Sequence, residues 1–255
     1  MSDSPFSVLN RFEKKLTRRI KLCLLFFYTF EGDKRNHKGI MKVHVKGSST
    51  LFKSKFLEAL TKTHPAIILS MYIPICGFLL YYFYTSIDHS FSALLLLFFG
   101  GMFTWTFFEY ILHRYVFHFI DERQWVQKFH FFVHGIHHEY PKDKNRLVLP
   151  PIPSLIVASV FFLFFRLIVG VYAYAFFSGF MIGYLTYAMM HYTMHVVRPP
   201  KTVFKYLWVH HNHHHYKYPD KAFGVSSPFW DLIFGTMPPK KSKIESQQSE
   251  VGSPN

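Results

Sequence analysis

The sequence predicts an all-α integral membrane protein with four transmembrane helices in two hairpins and a cytoplasmic His-rich helical cap. Three observations lead there: long stretches without charge, basic residues confined to the segments between them, and histidines clustered at helical spacings nearby. Half of the 255 residues are apolar and a fifth aromatic, with Phe alone at 31, and these residues are concentrated rather than spread at helical period.

Taken in order, residues 1–65 hold fourteen Lys and Arg and form a basic cytoplasmic or interfacial segment. Within it Arg11–Lys21 is basic and Leu22–Phe30 apolar, a faint likeness to a signal peptide. The apolar part ends in Glu31-Gly32-Asp33 without a small-residue cleavage pattern and is too short to span, so an interfacial amphipathic segment is expected. Ala66–Tyr84 and Ser90–Phe108 carry no charge, and Ile152–Met190 carries only Arg166. A hydrocarbon core about 30 Å thick needs about 20 helical residues. The first two stretches therefore supply one span each and the third supplies two, turning near Arg166–Tyr172. Residues 66–240 make the membrane domain, and 241–255 form a polar tail expected to be disordered.

Charge sets the orientation. Residues 114–148 hold six Lys and Arg and 196–255 hold eight, whereas the 85–89 connection holds none. All three basic regions then face the cytoplasm, in the endoplasmic reticulum of a eukaryote or the inner membrane of a bacterium. Arg166 snorkels to the opposite interface. The net charge of +14 suits a face apposed to anionic lipid and calls for no nucleic acid. Cys23 and Cys76 are too few and too far apart for a disulfide framework. Trp105, Trp208 and Trp230 are expected in the interfacial aromatic belt.

Thirteen of the 17 histidines lie between His113 and His215. Ten of them form four clusters: His113 and His118; His134, His137 and His138; His191 and His195; His211, His214 and His215. Residues three and four apart share a helix face. Each three-His cluster can thus converge from one turn, and His191 and His195 form a same-face pair. His113 and His118 lie about 140° apart on an ideal helix, so they serve two ions or the helix ends between them. Repeated clusters at the membrane surface indicate metal, with two ions, and imidazole suits iron, zinc, copper and nickel. Many neutral imidazoles with open positions suit activation of dioxygen against an unactivated C–H bond. No HExxH motif occurs, which excludes that class of zinc protease. The near absence of ionisable residues within the spans argues against metal transport; the alternative from another class is a non-catalytic His-rich metal-binding or transport protein.

Several stretches carry a resemblance. Glu109-Tyr-Ile-Leu-His113-Arg, His130-Phe-Phe-Val-His134-Gly-Ile-His137-His138, Asn145-Arg-Leu-Val-Leu-Pro-Pro151, Phe223-Gly-Val-Ser-Ser227 and Phe229-Trp-Asp-Leu-Ile-Phe-Gly-Thr236 resemble the fatty acid hydroxylase superfamily. Within it they are most similar to the fatty acid 2-hydroxylases, over roughly residues 50–237. The looser His pattern is shared with sterol and carotenoid oxidases, which form the alternative enzyme reading. The resemblance implies a dimetal centre, iron in the active enzyme though zinc on isolation, using dioxygen and two electrons. It implies hydroxylation next to the acyl carbonyl of a membrane lipid, often a sphingolipid. It assigns His113, His118, His134, His137, His138, His191, His195, His211, His214 and His215 as ligands, and leaves His130, His210 and His213 as supporting or exposed residues. Many eukaryotic relatives carry a fused cytochrome b5 domain; here a separate electron-transfer protein, cytochrome b5- or ferredoxin-like, is expected. Where relatives tend to have Tyr-Asp before the third box, this chain has Tyr187-Ala188, and Tyr187 is expected to line the substrate channel. Glu109, one turn before His113, either accepts from the distal nitrogen of a ligating His or is a helix-end carboxylate pairing with Arg114 or lipid-side water. Asp231 has the same role or caps the final helix.

Overall fold

The computed structural model describes residues 43–44 and 47–239, all helix, turn and loop. The expected interfacial segment at Arg11–Phe30 and the tail lie outside the described residues. Nine α-helices occur among the described residues: α1 Lys55–Ala59, α2 Pro65–Ser86, α3 Phe91–Ile111, α4 Gln124–His130, α5 Ile136–Glu139, α6 Pro151–Val169, α7 Ala173–Val196, α8 Lys205–Tyr216 and α9 Phe229–Ile233.

The long helices start where local chemistry says they should. The side chains of His64 and Ser90 accept the amides of Ala66 and Ala93 at 3.2 Å each, capping α2 and α3. Pro65 and Pro151 sit in the first turns of α2 and α6, where a missing N–H costs nothing. Three stretches are long and apolar enough to cross a membrane: Pro65–Ser86, Phe91–Phe117 and the 53-residue Lys144–Val196. The last is broken. Gly170, at φ +59°, ends α6 and begins a 3-10 turn to Tyr172, inside the turn expected from sequence.

Ring contacts give the helix directions. Phe165 meets Phe176 and Phe161 meets Phe180, at 4.9 and 5.1 Å between centroids, so α6 and α7 run antiparallel. Tyr82 meets Tyr174 and Tyr72 meets Tyr184, at 5.1 and 6.2 Å, so α2 is also antiparallel to α7. Helix α3 is parallel to α7, with Phe98 opposite Gly179 and Met102 opposite Gly183. Helix α7 is thus the common partner of the other three, and α2 and α3 touch each other little. The parallel pair brings His113 and His191 to the same end. Outward side chains such as Leu96, Phe78, Leu163 and Leu167 are exposed apolar groups, as a lipid-facing surface requires.

Trp105 departs from its expected place in an interfacial belt. It is buried at the centre of the bundle against Phe180, Tyr184 and Tyr187, because the small Gly183 leaves room for it. At the His-bearing end, residues 47–64 pack over the cap. Leu51 and Phe52 bury against Ile136, and Arg146 bonds Glu58, the Thr61 hydroxyl and the Ser49 carbonyl.

Candidate metal centre

Two helices widen where their histidines lie. Helix α3 continues as a π-helical turn over Leu112–Phe117, and α4 runs through another at Phe131–Gly135 into α5. In a π turn the amide bonds five residues back, and the His118 amide bonds the His113 carbonyl at 3.2 Å. Side chains five apart are thereby brought over one another, and the two rings stand 5.1 Å apart. They share one group rather than serving two ions, and the helix does end between them, with His118 as its C-cap.

All ten histidines of the four clusters converge, in two groups of five. The first contains His113, His118, His134, His138 and His214; the second contains His137, His191, His195, His211 and His215. Each three-His cluster is therefore divided, contrary to the expectation of convergence on one face. The physical reason is angular. Successive residues point about 100° apart, so the i,i+4 pair stays together and the intermediate i+3 residue turns away. His134 and His138 serve the first group while His137 serves the second; His211 and His215 serve the second while His214 serves the first.

The donor atoms suit metal ions. In the first group Nε2 of His134 lies 3.1 Å from Nε2 of His113 and 2.9 Å from Nε2 of His138. In the second, the Nε2 atoms of His215, His137, His191, His195 and His211 follow one another at 2.8–3.2 Å. Two nitrogens about 2.1 Å from one ion and about 90° apart stand about 3.0 Å from each other. Hydrogen bonding cannot account for these contacts, since a nitrogen facing two others has at most one proton to share. The Nε2 atoms of His118 and His214 are buried without any hydrogen-bond partner among the described residues. Burial, aided by the neighbouring imidazoles, pushes His134, His137, His138, His211, His214 and His215 well below the usual imidazole range. They are neutral at pH 7 and offer lone pairs, which is the ligating form.

Distal nitrogens orient the first group through backbone carbonyls. Nδ1 of His113 donates to the Phe223 carbonyl at 2.5 Å, and Nδ1 of His214 donates to the Lys221 carbonyl at 2.7 Å. Glu109 is not bonded to a histidine, nor to Arg114. Its carboxylate accepts the amides of Val225 and Ser226 at 2.7 and 2.8 Å and the Ser226 hydroxyl, clamping the loop that supplies those carbonyls. Tyr187 stacks on His191, with ring centroids 5.7 Å apart and planes at 10°, beside buried Ala188. His210 is buried against Asp231, and His213 is half-buried beside Tyr218. Sequence reasoning missed the carbonyls of Lys221 and Phe223; their only trace was the Phe223-Gly-Val-Ser-Ser227 stretch.

Comparisons with known proteins agree with this geometry. The Fatty acid hydroxylase family model matches residues 98–236. A dihydroceramide fatty acyl 2-hydroxylase of Arabidopsis thaliana is 41% identical over 148 residues, covering 58% of this chain and 62% of that protein. A second from the same plant is 35% identical over 192 residues, covering 73% and 79%. The fatty acid 2-hydroxylase of Rattus norvegicus is 33% identical, covering 77% of this chain and 59% of its own length. The chain thus spans about three fifths of the first and third of these relatives. The solved structure of full-length scs7p, with only its hydroxylase domain visible, is 37% identical with a TM-score of 0.70, covering 76% of this chain and 74% of that one.

Proposed function

The chain belongs to the fatty acid hydroxylase family, and from that premise we propose that it is a membrane-bound dimetal monooxygenase hydroxylating a lipid acyl chain at carbon 2. The acyl group belongs to a fatty acid or a sphingolipid. The ten converging imidazoles carry the reading, each group of five holding one ion. Relatives named for dihydroceramide and fatty acyl 2-hydroxylation favour an acyl chain over a sterol or carotenoid. Iron, when bound, supplies the activation of dioxygen: one oxygen atom enters the C–H bond and the other leaves as water, with two electrons and two protons consumed. A separate one-electron carrier protein supplies the electrons.

The protein's own part is positioning. Neutral histidines keep the centre free of protein negative charge and leave coordination room. Tyr187, flat on His191 and against Trp105, is the side chain placed to meet an acyl group brought to the second histidine group. Glu109 acts at a distance, holding the loop behind His113. Zinc outranks ferrous iron for nitrogen ligands, so overexpressed protein is expected to carry zinc and to be inactive. Anaerobic exchange for iron, followed by a donor, dioxygen and acyl lipid, is expected to yield 2-hydroxylated product by mass spectrometry. Full turnover by a zinc-loaded, iron-free preparation would refute the oxygenase reading.

We further read α2, α3, α6 and α7 as four membrane crossings in two hairpins, up and down in turn. The 19 residues of α6 span about 28 Å, one bilayer core. The His-bearing cap then lies with the basic segments on the cytoplasmic side. Single cysteines at Ser48 and Lys142 are expected to react with an impermeant thiol reagent only when the cytoplasmic face is open, and one at Asp88 only from the other face. Outer labelling at position 142 in sealed cells would break this topology.

A further inference from the structure

Asp231 is wholly buried and accepts four hydrogen bonds. The Phe223 amide and the Thr236 hydroxyl reach Oδ1 at 2.9 and 2.7 Å; the Gly224 amide and His210 Nε2 reach Oδ2 at 2.8 and 3.0 Å. Thr236 is bonded in turn to Tyr110 on α3, at 3.0 Å. A carboxylate in such a place is costly unless its oxygens are fully occupied, and here they are. The four bonds reach the loop, α8 and the segment that follows α9 at once.

The loop it grips is under tension. Ala222 has φ +58°, a left-handed conformation that a residue with a Cβ avoids. Such a backbone persists only where surrounding bonds over-determine it. Ala222 donates to the Thr236 carbonyl at 2.9 Å, and the next two amides are the ones bound by Asp231. On either side of Ala222 stand the two carbonyls that fix the distal nitrogens of His113 and His214. In the second histidine group the backbone brace comes from elsewhere in the chain, His191 bonding the Leu147 carbonyl. Nδ1 of His137, His211 and His215 is buried without a partner.

We propose that Asp231, braced by His210, is the positioning residue of the first histidine group: by holding residues 222–224 it aims the carbonyls of Lys221 and Phe223, and through them His113 and His214. The inference rests on the ligand reading above and adds that the two metal positions are braced by different parts of the chain, the first by residues 221–223 and the second by Leu147. His210 is then part of the centre although it supplies no ligand.

The test uses the full chain in detergent, loaded anaerobically with ferrous iron, washed with a chelator and counted by elemental analysis. Asp231→Asn and His210→Gln are expected to release one iron about 10–100-fold faster than the unaltered protein while keeping the other. Adding His113→Ala to Asp231→Asn should cause no further loss of iron than His113→Ala alone, whereas adding His137→Ala should remove both. The thermal midpoint of the metal-free His210→Gln protein should match that of the metal-free unaltered chain. Retention of both irons at the unaltered rate in both variants would overturn the proposal. So would parallel loss of both irons with a lowered metal-free midpoint in both, which would make the pair a general support of the fold. If His113→Ala itself keeps two irons, the ligand reading fails first.

Discussion

Replacing His137 with alanine is expected to abolish hydroxylation and to lower bound metal from two equivalents to about one. His137 is buried, and its Nε2 lies 2.9 Å from that of His191 and 3.0 Å from that of His215, in the middle of the second group. Loss of a residue that merely supports a ligand weakens metal binding by about 10–100-fold, so loss of a ligand should exceed about 100-fold. The vacated volume is lined by imidazoles rather than apolar groups, so water enters and no hydrophobic collapse compensates. His213→Ala, altering a half-buried ring outside both groups, should leave metal and turnover near normal. Metal analysis and product formation on the same preparations check both expectations. A His137→Ala protein with two equivalents and full activity would remove this residue from the centre.

The second large effect lies inside the bundle. At Gly179 an added Cβ would fall on the backbone carbonyl of Phe98, and at Gly101 on the carbonyl of Phe176. At Gly183 it would stand 2.6 Å from the Cβ of Trp105. These three glycines let α3 and α7 approach closely, as small residues do between membrane helices. Gly179→Leu must push the helices apart, and with backbone on the far side there is no rotamer to yield. A loss of about 3 kcal/mol or more is expected, at the upper end of overpacking costs. Because α3 carries His113 and α7 carries His191, metal should be lost as well. Gly77→Ala offers the contrast, since its Cβ meets nothing within 4 Å and alanine is the better helix former. Thermal unfolding in detergent should separate the two by many degrees; equal midpoints would mean that the α3–α7 seam is not close-packed.

Much of this was legible in the chain, for identifiable reasons. Uncharged stretches of membrane length gave the long helices, and Gly170 within a continuous apolar run falls where α6 turns into α7. The ten clustered histidines are the ten that converge. Their division was only half legible: that neighbours such as His137 and His138 diverge by about 100° follows from α-helical geometry alone. That His113 and His118 meet did not, because it depends on a π turn that ideal periodicity excludes. Glu109 was picked out by its spacing from His113, yet its partners lie on a loop more than a hundred residues further along. Trp105 was misplaced because hydropathy cannot distinguish a ring at the lipid interface from one packed beside Gly183.

The division of the histidines also dictates the order in which the protein can mature. Helix α8 gives His214 to one group and His211 and His215 to the other, so neither group is complete until α8 has been synthesised and docked. The four apolar helices must therefore settle against one another while the cap is still unfinished. Contacts this distant along the chain form late, after the entropy of closing the long intervening segments has been overcome. On the proposed ligand set, metal capture is expected to be the closing event of biogenesis, and a nascent chain halted before Lys205 would hold seven of the ten imidazoles with no complete place for an ion.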